Sequence, residues 1–222
     1  MCLRWGMTRA WWVVGLVSAV LVGCGGGGAP DAERVEDGPV TVMVEDGFYG
    51  VNFSYTTSAS FTPLRAPLPG FAQSQAEREM LAAINAERAR GGVCPSGVFP
   101  AAAQLKFEGH LHKAATQYGQ ELAASGRLEL PHRSRVDNRV PSQRMVDAGY
   151  RPVPPANVKW VFEESLAAGE GFTDPAEVIA AWKGSPSHCR ALFENIGNGA
   201  VARVDGAAGT FWVLNIAGWE NE

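Results

Sequence analysis

The run WWVVGLVSAVLV, residues 11–22, is broken only by Gly15 and Ser18. It decides how much of the chain is free to fold, and where. A membrane span needs roughly 20 apolar residues, and this run is shorter. MCLRWGMTRA precedes it and carries Arg4 and Arg9 but no acid. A basic start followed by a short apolar core has the form of a secretory signal. The folded part is therefore expected downstream and outside the cytoplasm, where disulfides persist.

The run closes on Leu21-Val22-Gly23-Cys24. Leu-x-small-Cys resembles the lipobox of bacterial lipoproteins, in which the cysteine is acylated and becomes the first residue. The resemblance implies a signal peptide over 1–23, a lipid at Cys24, and an exported chain held at the cell membrane or surface. GGGGAP follows and is a flexible tether by composition. Residues 24–70 are expected to be a linker with one possible hairpin, and 71–222 the folded domain.

That division settles the cysteines and the charge. Cys2 leaves with the signal and Cys24 carries lipid, so Cys94 and Cys189 remain. Two cysteines in an exported domain make a disulfide the default, and their spacing is far too long for a zinc knuckle. The bridge would close a loop of roughly 95 residues, which the chain-entropy account values at about 4 kcal/mol. Without Arg4 and Arg9 the chain has 17 basic against 23 acidic residues, a net −6. Such a chain without basic runs is a poor partner for nucleic acid. Arg133, Arg135 and Arg139 form its one basic cluster, expected to be a solvated loop.

Apolar spacing predicts the elements. VTVMV (41–45) and FYGVNFSYT (48–56) flank a polar turn and read as a hairpin, with no second layer evident. A helix is expected from Gln73 to Arg90, with Met80, Leu81 and Ile84 on one face and glycines 91–92 as its stop. GVCPSGVFPAAAQ reads as a loop. A second helix runs from about Glu108 to Ser125 with Leu111, Ala114, Ala115, Tyr118 and Leu122 inward. QRMVDAGY is a short helix closed by Gly149, and VKWVFEESLAAG begins as a strand. Asp174-Pro175 caps a helix through Trp182, and SPSHCR (185–190) is its exit. IGNGAVARV and TFWVLNIAG form a closing hairpin. Helices first and strands late give an α+β class, not a βαβ array. Trp160, Trp182 and Trp212 are expected in the core.

The chemistry rests on four histidines. His110 and His112 lie two apart on a helix, point to different faces, and are expected at the surface or partly buried. His132 and His188 sit in irregular segments, where function concentrates. In SPSHCR, His188 stands beside Cys189, an arrangement open to a metal site, a nucleophile with its base, or a disulfide that pins a histidine. Glu163 and Glu164 follow the strand-like run. His132, Glu164 and His188 brought together would suit a divalent metal such as zinc. Alternatively the carboxylate would fix a histidine tautomer.

Residues 75–218 resemble a bacterial SCP domain of the CAP superfamily, with the pieces in order. MLAAINAERARGG resembles the opening helix, and LKFEGHLHKAATQYGQELAASGRL the second, which leads to LPHRS and His132. QRMVDAGY resembles the short helix. EESLAAG resembles the Gly-Glu-Asn-Ile/Leu-Ala motif, which places the family glutamate at Glu164. DPAEVIAAWKGSPSHCR resembles the helix ending in Ser-Pro-Gly-His, which places the second histidine at His188. TFWVLNIAG resembles the aromatic last strand.

The resemblance implies a three-layer α-β-α sandwich with His132, Glu164 and His188 in one cleft, a divalent metal there in some members, and a Cys94–Cys189 bridge stapling the loop of His188. It points to a binding module for an envelope component, lipid or small apolar ligand. The alternative is a metal-dependent hydrolase with Glu163 as base. The chain departs from the pattern at Glu163, Ser165 and Ser187. It also has Tyr118 where many members have a histidine, so three ligands are the most the cleft would supply.

Overall fold

The structure, a computed structural model, describes residues 38–155, 158 and 160–220. The segments read as signal, lipobox and tether, with Cys24, lie outside them. In chain order the elements are β1 (Pro39–Asp46), β2 (Val51–Ser58), α1 (Gln75–Arg90), β3 (Gly92–Cys94), β4 (Gly97–Phe99), β5 (Lys106–Phe107), α2 (Gly109–Ser125), α3 (Pro141–Ala148), β6 (Trp160–Gly169), α4 (Pro175–Gly184), α5 (Pro186–Phe193), β7 (Ile196–Gly206) and β8 (Gly209–Glu220). The fold is α+β.

Local chemistry explains the helix ends. Ser74 and Glu77 form a capping box at α1: the Glu77 amide donates to Ser74 Oγ (3.3 Å) and the Ser74 amide to Glu77 Oε2 (2.6 Å). Glu108 caps α2 by accepting from the Leu111 amide at 2.7 Å. Asp174 caps α4 through the Ala176 amide at 2.7 Å, with Pro175 in the first turn. Gly149 ends α3 at φ 116°, and a Cβ there would lie 2.5 Å from His110 Cδ2. SPSHCR is not an exit loop. Ser185 ends α4, and Pro186 starts α5, so His188 and Cys189 stand in a helix.

β8 organises the core because it is buried on both faces. Trp212, Leu214 and Ile216 pack with Met80, Leu81 and Ile84 of α1, Val178, Ile179 and Trp182 of α4, and Leu192 and Phe193 of α5. The alternate residues Phe211 and Val213 pack with Ala115, Tyr118 and Leu122 of α2. Ala217 joins Leu111 and Ala114 of α2 and Met145 of α3. A period of two sends neighbouring side chains to opposite faces, and here both faces meet helices. Strand order is β5-β7-β8-β6; β7 and β6 run antiparallel to β8, and β5 parallel to β7. Trp182 and Trp212 are core residues as expected, whereas Trp160 is only partly buried, packed against the cluster of Val42, Val44 and Tyr55.

β1 and β2 pair along their length, Pro39 with Ser58 through Asp46 with Val51. The hairpin has a second layer after all. Val42, Val44 and Tyr55 bury against Val146 of α3, with Trp160 and Phe162 at the edge of the cluster. Thr57 Oγ1 donates to the Arg151 carbonyl at 2.6 Å, and Tyr55 Oη donates to that of Pro152. The stretch read as a loop at 92–99 holds the small hairpin β3–β4. His112, expected near the surface, is 1% exposed beside Glu77, with Nε2 3.4 Å from Oε2. A carboxylate partner makes such burial tolerable.

Candidate functional site

Three elements converge on Glu164. The residue lies on β6 opposite Asn215 of β8, and its side chain is 1% exposed. His132 comes from the segment between α2 and α3, with φ 50°. That left-handed conformation is uncommon for a residue with a Cβ and gathers at functional positions. The His132 amide donates to the Glu129 carbonyl at 2.9 Å, and Nδ1 lies 3.2 Å from Glu164 Oε1. His188, in the first turn of α5, brings its ring within 6.2 Å of the His132 ring, centroid to centroid, at 29° between planes. The structure thus brings His132, Glu164 and His188 to one place.

Sequence reasoning missed the residue at the centre of the cluster. Arg144 of α3 donates from Nη2 to both Glu164 oxygens, each at 2.8 Å. Its Nη1 donates to the carbonyls of His132 (2.9 Å) and Arg139 (2.7 Å). The guanidinium carbon stands 3.6 Å from the centre of the Tyr118 ring, a cation–π contact. Tyr118 therefore seats a cation. A signal was present, since QRMVDAGY set an arginine at the head of an amphipathic helix, but nothing in its spacing pointed to Glu164.

Tyr49 was missed as well. It lies in the turn between β1 and β2, its carbonyl accepts from Arg133 Nη2 at 3.0 Å, and the Arg133 guanidinium stands 5.8 Å from its ring. Burial pushes the Tyr49 hydroxyl well above its ordinary pKa; the Glu164 carboxylate adds to the rise and Arg144 opposes it. The tip of the N-terminal hairpin therefore sits within electrostatic reach of Glu164 and Arg144. Tyr118 behaves alike: burial raises its hydroxyl, Glu164 adds, and Arg144 opposes. Its hydroxyl and Arg144 Nε are buried without hydrogen-bond partners among the described residues.

The electrostatics follow from these contacts. Burial alone would raise the Glu164 carboxyl, but the Arg144 charge and the His132 hydrogen bond outweigh it and leave the pKa lowered. Burial lowers His188, and the charge of His132 lowers it further. His188 is thus neutral at pH 7. The Glu164 carboxylate at His132 Nδ1 is an acceptor, so that ring nitrogen is the N–H donor of the pair. Glu163 points to the other face of β6, where Arg190 Nη2 donates to its Oε1 at 3.2 Å. Ser187 shares a 3.3 Å contact with Ser185.

Cys94 and Cys189 form a disulfide with their Cα atoms 5.7 Å apart. It ties β3 to α5 one residue beyond His188. The wall is also clamped from inside. Arg88 of α1 is fully buried and donates to the carbonyls of Ala103 (2.8 Å), Leu192 (2.6 Å) and Ile196 (3.0 Å).

Among the described residues, no group of three or more His, Cys, Asp and Glu side chains is disposed to hold a metal ion. The donor set explains this: both Glu164 oxygens are engaged by a guanidinium that stays protonated. A dication there would face a fixed positive charge, so the residues as arranged do not fit one. No family model matches the chain, and no curated protein matches it. Among solved structures the chain is similar to an outer surface protein from Borrelia burgdorferi, at 19% identity and a TM-score of 0.46 over 64% of this chain and 95% of that one.

Proposed function

We propose that the chain is a lipid-anchored, extracytoplasmic binding module of the CAP/SCP type, a three-layer α-β-α sandwich with a ligand cleft over His132, Glu164 and His188. The sandwich is supported by β8, whose alternate residues meet α1, α4 and α5 on one face and α2 and α3 on the other. The family and the anchor rest on the sequence motifs. One observation carries the cleft: two imidazoles and a carboxylate from three separate segments stand together, with the carboxylate locked by Arg144. Side chains fixed to this degree form a preorganised surface for a small ligand with polar contacts.

The metal-dependent hydrolase is the second reading, and the His132–Glu164 pair is what favours it. A carboxylate-held imidazole is half of a general-base device. Against it, no hydroxyl or thiol is recorded at hydrogen-bonding distance from His132 among the described residues, and Glu163 is turned toward Arg190. Zinc would enter the cleft only with Arg144 displaced from Glu164.

Two experiments test the proposal. Cys24→Ala moves the protein from the membrane to the soluble fraction; retention in the membrane ends the anchor reading. Zinc titration by calorimetry gives no saturable one-to-one complex with the wild type, whereas Arg144→Gln gains one. Tight zinc binding by the wild type, lost in His188→Ala, would move the assignment to the metal reading.

A further inference from the structure

A cavity of about 270 Å³ opens between β2 and α3 and contains none of His132, Glu164 and His188. Four consecutive residues of β2, 53–56, line one wall. Side chains alternate along a strand, so a wall of consecutive residues is formed by the strand's edge and not by one face. Among the described residues β2 pairs only with β1, which leaves backbone donors and acceptors on its other edge without a strand partner there. Four residues of strand span about 13 Å, enough to match about four residues of an extended peptide.

The opposite wall carries the charge. Arg139 and Asp147 form an ion pair with each other. Arg151 donates from Nε to the Val146 carbonyl at 3.0 Å. Arg139 is shared between Asp147 and Asp137, the latter outside the lining, and Arg151, which acts on Asp147 only through space, is the lining cation whose terminal nitrogens bond to no carboxylate among the described residues. Gln143 accepts from the Val140 amide through Oε1 at 3.2 Å, which leaves its amide nitrogen as a further donor.

We propose that this cavity binds an extended peptide by strand addition to β2, with a carboxylate of the peptide on the guanidinium fork of Arg151. The backbone edge supplies affinity without regard to side chains, and the arginine supplies selection for the acid. A terminal carboxylate and an acidic side chain share this chemistry. The site is independent of the cleft proposed above.

The test uses the full-length chain in mild detergent, titrated by calorimetry at low salt. The probes are N-acetyl-tetra-alanine as free acid, the same peptide as C-terminal amide, the amide with one internal glutamate, and sodium acetate. The free acid binds at least tenfold more tightly than the plain amide; the glutamate peptide matches the free acid if side chains serve, and the plain amide if only a terminus does. Either outcome supports the site. Arg151→Gln removes the preference for acid over amide. Arg151→Lys retains part of it, and this controls for loss of the Val146 contact, with near-ultraviolet circular dichroism reporting the fold. Equal affinity for acid and amide, an unchanged preference in Arg151→Gln, or acetate competing at peptide concentrations would overturn the proposal, the last by reducing the cavity to a simple anion site.

Discussion

Arg88 and Arg144 are both removed from water, and they do different work. Arg88 is 0% exposed and spends its donors on three backbone carbonyls from the segments around α5. Burial lowers its pKa to about 10, and Glu194 counteracts part of that, so it is charged at neutral pH while bonded to dipoles that do not titrate. Arg144 meets a carboxylate and an aromatic face as well as carbonyls. The first arginine is a clamp that gives His188 a rigid wall. The second is bonded to a titratable carboxylate beside His132. An arginine's partners, and not its burial, separate support from site.

Removing the clamp has the largest expected effect. Arg88→Ala leaves three buried acceptors unsatisfied and a cavity behind them, a loss of about 5 kcal/mol. Carbonyls do not titrate, so the loss measured by denaturant unfolding stays constant from pH 5 to 8. A loss that shrinks as pH is taken further down through about 4 would show that Arg88 works through the Glu194 carboxylate instead. The disulfide supports the same wall from outside. Joint replacement of Cys94 and Cys189 by serine costs about 4 kcal/mol, because the bridge closes a loop with a sequence separation of 95. The loss should appear as a lower midpoint with the native circular dichroism retained.

Breaking the other arginine gives a pH-dependent loss. Arg144→Gln costs about 3 kcal/mol at pH 7, since it strands a buried carboxylate. In the wild type the lowered Glu164 pKa means its stabilisation is present above the ordinary carboxylate range and is lost as pH falls through the folded value. In Arg144→Gln the burial that raises the carboxyl is no longer outweighed, so the variant recovers against the wild type as pH falls toward 4. Adding Glu164→Gln restores most of the loss at pH 7. Failure of the double variant to recover would mean that Arg144 matters through Tyr118 and the carbonyls of His132 and Arg139.

The same contrast marks what was legible in the sequence. The core was readable because its signal is periodic: Met80, Leu81 and Ile84, the face from Leu111 to Leu122, and the strand around Trp212 each repeat at the spacing of their element. His132, Glu164 and His188 were reached by motif, and the cysteine pairing by compartment and count. Arg88, Arg144 and Tyr49 were not legible, because each acts through partners far along the chain. Leu192 is 104 residues from Arg88, and Glu164 is 20 from Arg144. Spacing reports which face of an element is apolar, not which distant acceptor a long polar side chain will find. The hairpin at 39–58 fell short for a related reason. Its inward residues Val42, Val44 and Tyr55 cover one residue of α3, Val146, too small a match to read without coordinates.

The smallest expected effect tests whether His188 belongs to the cleft or only to the clamped wall. Its pKa is lowered, by burial first and then by His132, so the folded state resists a proton that the unfolded state accepts near pH 6.5. Between that value and the lower folded pKa the unfolded chain binds more protons, and stability falls as the solution is acidified. The lowered carboxylates Glu77, Glu87, Asp137 and Glu164 act at more acid pH, which leaves the range from about 6.5 down to about 5 as the histidine window. His188→Asn should flatten the profile in that window while changing stability at pH 7.5 by less than about 1 kcal/mol. An unaltered slope would place the imidazole in solvent, as part of the wall that Arg88 and the disulfide hold. A flattened slope would show the imidazole withdrawn from water in the folded state, beside His132.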